Sequence, residues 1–165
     1  MYIARMLIAA VLVFLLQVTI VHNVSLLGAT PDLVLVLLVI FVIDRKPVLA
    51  VIIGFLLGFL QDLGNASFLG MNALAKSVIA FGIARFASGY LPESILFKGL
   101  LIFLAALVSD IIVLNITASF HPGAVLLDFF RYSIVSALYT SLIGIAVFGL
   151  LRLVPGRRRR SVGRY

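Results

Sequence analysis

Hydrophobic residues fill this chain in long blocks, broken by short polar stretches, at 6–21, 33–43, 48–60, 71–88, 96–117 and 129–153. Each block predicts a helix: most exceed the length of a buried strand, and Gly, Pro, Asn and Asp gather between them. The second has eleven residues, about 16 Å of helix against about 30 Å of hydrocarbon, so it does not cross a bilayer straight and unaided. It has to borrow flanking residues, thin the bilayer or be a broken helix. The third, extended through Gln61 and Asp62, reaches about 22 Å. Two short neighbours predict tilted or irregular helices packed inside a bundle.

Composition makes the environment plain. Of 165 residues, 64% are hydrophobic and 12% charged, with a mean hydropathy of +1.28, which leaves too little polar surface to clothe a soluble globule. The expected fold is an all-α integral membrane protein, a six-helix transmembrane bundle at 1–154 followed by a basic tail at 155–165. Cysteine and tryptophan are absent, which removes disulfides, thiolate metal sites, iron–sulfur clusters and thiol catalysis from consideration. Arg5 and the first block resemble a secretory leader, yet no AxA-like site follows, so the block reads as a retained helix.

Charge then orients the bundle. The net +7 is concentrated in Arg157, Arg158, Arg159, Arg160 and Arg164, a pattern suited to anionic lipid headgroups rather than nucleic acid. Six crossings would put Arg5, the turn at 44–47, the connection at 85–98 and this tail on one side. The opposite loops, 22–31, 63–70 and 118–128, hold no lysine or arginine, so both termini are expected to be cytoplasmic. Merging the second and third blocks into a re-entrant pair would give five spans and spoil that match.

Several polar residues stand out against the apolar ground. Gly54, Gly58 and Asp62 recur every four residues, placing two small residues and an acid on one face, where a neighbouring helix can approach and shield the acid from lipid. Asp62 and Lys76 flank a turn containing Gly64, Asn65, Ser67 and Gly70. A hairpin of blocks three and four would let them pair; otherwise Asp62 sits at the water interface and Lys76 snorkels to it. Asp110, beside Ser109 in the fifth block, is either a proton or ligand site or a protonated acid bonded to serine or backbone on another helix. His22 with Asn23, and His121 with Pro122 and Gly123, read as interfacial polar residues with no third ligand for a metal. Asp128 and Arg131 are spaced for a local pair. The match of Gly58 and Asp62 with Ala106 and Asp110 is too slight for an internal repeat. No GxSxG, Walker loop, HExxH, HxxxxD acyltransferase or phosphatase signature occurs, so no catalytic set and no cofactor are predicted.

Taken in order, Pro31-Asp32 before the run at 33–43, GFLLGFLQD at 54–62, Phe68-Leu69-Gly70 and Asn72-Ala73-Leu74 resemble the rod shape-determining protein MreD family. The resemblance extends over most of the chain, including its length, crossing number and basic tail, and is strongest over 31–74. It implies a non-enzymatic subunit of the bacterial elongation machinery in the inner membrane. Such a subunit is bound to MreC and acts with MreB, RodA and a class B transpeptidase in lateral peptidoglycan synthesis. It also implies a fold similar to the substrate-binding subunits of energy-coupling-factor vitamin transporters. Pro31, Asp32, Gly54, Gly58, Asp62, Leu69, Gly70 and Asn72 become the expected helix-packing or partner-contact residues; Lys76 and Asp110 lie outside the family pattern. The alternative is a vitamin-binding transporter subunit, with the turns near 31–32 and 62–70 capping a small-molecule cavity. A helical bundle serves either use, but the lack of tryptophan and the sparse polar residues in the outer halves favour the scaffold. A membrane enzyme ranks third.

Overall fold

The computed structural model describes residues 2–19, 29–64, 68–87, 94–117 and 132–153. Within them the chain forms six α-helices and no strand: α1 (Tyr2–Thr19), α2 (Leu33–Val42), α3 (Pro47–Asp62), α4 (Met71–Gly82), α5 (Ile95–Thr117) and α6 (Ile134–Leu153). A π-helical turn, Ile83–Ala87, continues α4. Their bounds follow local chemistry. Asp32 accepts a hydrogen bond from the Leu35 amide and starts α2, while Pro47, whose missing N–H costs nothing in a first turn, starts α3. Gly70, at φ 94°, supplies the left-handed residue from which α4 departs.

The short second helix is the centre of the bundle. Val34, Leu35, Val36, Leu37, Leu38, Val39 and Val42 are all buried, so α2 is hydrophobic around its whole circumference because it is surrounded by protein. It contacts α1, α3, α4, α5 and α6. Enclosed by its neighbours, this helix presents almost none of its surface to the exterior.

Two antiparallel pairs embrace it, and glycine sets the closeness of both. The α3–α4 pairing is the most extensive. A Cβ on Gly58 would fall on the Asn72 carbonyl and 2.5 Å from the Ala73 Cα, and one on Gly54 would lie 2.5 Å from the Lys76 carbonyl oxygen. Here backbone meets backbone, as small residues at four-residue spacing allow. In the α5–α6 pair the glycines admit side chains instead. Gly99 receives Ile145 and Gly144 receives Ile102, and the Ser141 hydroxyl donates to the Gly99 carbonyl at 2.9 Å.

The exterior is as apolar as the interior. Leu7, Val11, Val48, Ile52, Phe55, Leu56, Leu100, Leu104, Leu142 and Leu150 are all exposed, far beyond the isolated patches of a soluble surface. Two helices, Ile95–Thr117 and Ile134–Leu153, are long and apolar enough to cross a membrane. Arg45 and Lys46 between α2 and α3, Arg85 after α4, Lys98 at the start of α5 and Arg152 at the end of α6 all lie at one end of the bundle. The described turns at the other end carry no lysine or arginine.

Candidate functional site

The polar residues inside this bundle form two clusters, and both solve the same problem of where backbone groups go when a helix begins among apolar neighbours. The first surrounds the start of α2. Residues 29–32 run as irregular chain into the bundle, and side chains of other helices take up their backbone groups. Gln17 of α1 donates to the Pro31 carbonyl at 3.0 Å and accepts from the Leu33 amide at 2.8 Å. From α6, Ser136 donates to the Thr30 carbonyl at 2.8 Å, and Thr140 accepts from the Asp32 amide at 3.0 Å while donating to Ser136.

Asp32 is the hub. One carboxylate oxygen caps α2 through the Leu35 amide at 2.8 Å, and the other accepts from Lys76 Nζ at 2.8 Å. Lys76 is wholly inaccessible and the Asp32 side chain is 22% exposed, so this ion pair is a lock between α2 and α4, not a surface ornament. Asp110, on α5, bonds Ser133 in the turn leading into α6 and lies within electrostatic reach of Asp32 and Lys76. Four helices and the chain leading into a fifth thus converge on one polar node. At 1.5 Å per residue it sits about 15 Å from the basic end along α2 and about 20 Å along α6, near mid-height of the bundle.

The second cluster is the turn between α3 and α4. Asp62, 1% exposed at the last turn of α3, accepts four bonds from the start of α4. They come from the Gly70 amide at 3.0 Å, the Asn72 amide at 3.0 Å, the Asn72 side-chain amide at 2.9 Å and the Ala73 amide at 3.0 Å. A carboxylate at a helix N-terminus meets both the unpaired N–H groups and the positive end of the helix dipole. Phe68 and Leu69, in the turn it closes, are 42% and 62% exposed.

This geometry corrects the expected partnership of Asp62 and Lys76. They do not pair: Lys76 reaches across to Asp32, 44 residues earlier, and Asp62 spends both oxygens on α4 amides. Lys76 does not snorkel, since it is wholly buried, and the Asp62 carboxylate is enclosed by the start of α4. Proximity in sequence misled because the hairpin sets the two at different heights: Asp62 meets Gly70, Asn72 and Ala73, whereas Lys76 lies level with Gly54, two turns back along α3. Of the eight expected packing or contact residues, Pro31 and Asp32 belong to the first cluster, and Asp62, Gly70 and Asn72 to the second. Gly54 and Gly58 lie between the clusters at the α3–α4 crossing, and Leu69 faces outward. Gln17, Ser133, Ser136 and Thr140 were not anticipated; Gln17, a lone amide in an apolar helix, was the readable signal among them. His22, Asn23, Asn65, Ser67, His121, Pro122, Gly123, Asp128, Arg131, Arg157, Arg158, Arg159, Arg160 and Arg164 lie outside the described residues. Among the described residues, no group of three acidic, histidine or cysteine side chains is arranged to hold a metal.

An all-helical bundle with an apolar exterior and an interior polar lock is a membrane protein. Residues 1–154 match the rod shape-determining protein MreD family, and the chain belongs to that family, with its role in determining rod shape. No curated protein and no solved structure matches the chain.

Proposed function

We propose that this chain is a non-enzymatic scaffold of the rod-shape machinery, a bundle at 1–154 with a basic tail at 155–165, that binds MreC and supports lateral peptidoglycan synthesis. MreB, RodA and a class B transpeptidase complete the assembly around it. Six crossings of the bacterial inner membrane, with both termini cytoplasmic, accord with the gathering of Arg45, Lys46, Arg85, Lys98 and Arg152 at one end. The tail arginines then lie against anionic lipid.

The observation that carries the scaffold reading is the outer turn. Asp62 fixes both ends of a short segment with four bonds while Phe68 and Leu69 remain exposed, which offers a partner a preorganised apolar contact. The buried charged groups Asp32, Lys76 and Asp62 are instead occupied in holding helices together. Of the two surfaces available to a membrane partner, α2 is withdrawn by its burial, and the exposed face of α3, where Phe55 and Phe59 stack at 6.0 Å, remains beside the outer turn.

The test is recovery of MreC with purified wild type and with Leu69→Glu, an exposed substitution that leaves the Asp62 network intact. Wild type should retain MreC and the variant should lose at least tenfold, with both monodisperse. Retention of no MreC by wild type, together with submicromolar vitamin binding, would replace this reading with the transporter subunit.

A further inference from the structure

An apolar groove of about 420 Å³ opens between α4 and α5. Val78, Gly82 and Phe86 form one wall and Phe97, Leu104 and Val108 the other. Gly82 leaves the first wall open, since a Cβ there would find nothing within 4 Å. The groove is lined by Phe86 and Phe97 toward the basic end and by Val78 and Val108 at its other end. From Phe97 to Val108 is eleven residues, about 16 Å of helix, or half of a hydrocarbon layer about 30 Å thick.

At the basic end stands Arg85, exposed on the π-helical turn and adjacent to Phe86. Among the described residues no carboxylate forms a salt bridge with it. We propose that this groove holds an acyl chain of an anionic phospholipid from the leaflet at the basic end, with the lipid phosphate on the Arg85 guanidinium. The dimensions favour a lipid over a protein helix: a membrane-spanning partner would need a track through both leaflets, and this one ends halfway. The charge favours an anionic headgroup, because a guanidinium presents paired donors to phosphate and basic pockets between membrane helices concentrate acidic lipids. The site is separate from the arginine tail and needs no residue of the Asp32 or Asp62 clusters.

The full chain, purified in a neutral detergent, would be offered dioleoyl phosphatidylglycerol or dioleoyl phosphatidylcholine, and retained lipid read by native mass spectrometry. Wild type should prefer phosphatidylglycerol, and Arg85→Gln should reduce that preference about fivefold, the contribution of one basic residue near a membrane surface. Gly82→Phe, which fills open space, should lower occupancy by both lipids. Lys46→Gln, at the same end but away from the groove, should match wild type. The proposal falls if Arg85→Gln keeps the wild-type preference, or if Lys46→Gln lowers it equally, which would mean diffuse surface charge. It also falls if Gly82→Phe expels a co-purified protein while lipid occupancy is unchanged, which would assign the groove to a partner helix.

Discussion

Substituting methionine for Lys76 would remove the ammonium from Asp32 while keeping a side chain of similar reach in the same space. Because Lys76 is wholly inaccessible, water cannot replace it, and a carboxylate that has lost its buried partner costs about 3–5 kcal/mol. Asp32 is 22% exposed and keeps its bond from the Leu35 amide, which places Lys76→Met toward the lower end, about 3 kcal/mol. Asp32→Asn retains a cap for α2 but leaves the enclosed ammonium without its bonded carboxylate, at about 3–5 kcal/mol. The double variant holds neither charge, and asparagine still accepts from Leu35. It is expected to be more stable than either single variant by about 2 kcal/mol. Reversible unfolding in mixed micelles, followed by far-ultraviolet circular dichroism, measures all four corners of the cycle. A double variant that falls by the sum of the single losses would refute the ion pair as the link between α2 and α4, and so would a silent Lys76→Met.

Asp62→Ala would leave three backbone amides and the Asn72 side chain without their acceptor and should lose about 3–4 kcal/mol, with α4 protection near Asn72 and Ala73 falling first in hydrogen exchange; unchanged exchange there would contradict the capping role. Gly58→Ala meets backbone on α4 and should destabilise by about 2–3 kcal/mol, whereas Gly144→Ala meets the movable end of Ile102 and should lose less than about 1 kcal/mol. The same unfolding assay ranks them, and equal losses would deny a close α3–α4 backbone crossing.

The helices were legible in the hydropathy pattern, since each apolar block corresponds to an observed helix and most of the shared ends agree within two residues. The shortness of α2 also announced a helix packed inside a bundle, although not that it lies at the centre. What sequence could not convey was which polar groups meet. Asp62 and Lys76 are fourteen residues apart across one turn, and the nearest opposite charge was the natural partner; the observed partner of Lys76 is 44 residues away. A local signal did exist for half of the answer. Asp32 stands three residues before Leu35 at the head of an apolar run, which is an N-cap pattern, and a capping carboxylate has a second oxygen to offer. The cross-hairpin cap by Asp62 has no such local signature, because it depends on α3 ending beside the start of α4.

The anchoring of residues 30–32 has a consequence for how the protein is made. Thr30 and Asp32 emerge early in synthesis, yet their partners Ser136 and Thr140 follow 106 and 108 residues later. Until α6 is inserted, the amide and carbonyl at the head of α2 have no such acceptor and donor, and α2 is too short to span alone. If the chain crosses the membrane six times as proposed, its first two helices would enter as an unfinished unit held close to water or to the insertion machinery. On that reading, secure anchoring of the innermost helix waits for α6, and a chain truncated before Ser136 is expected to be cleaved faster by protease than the full chain.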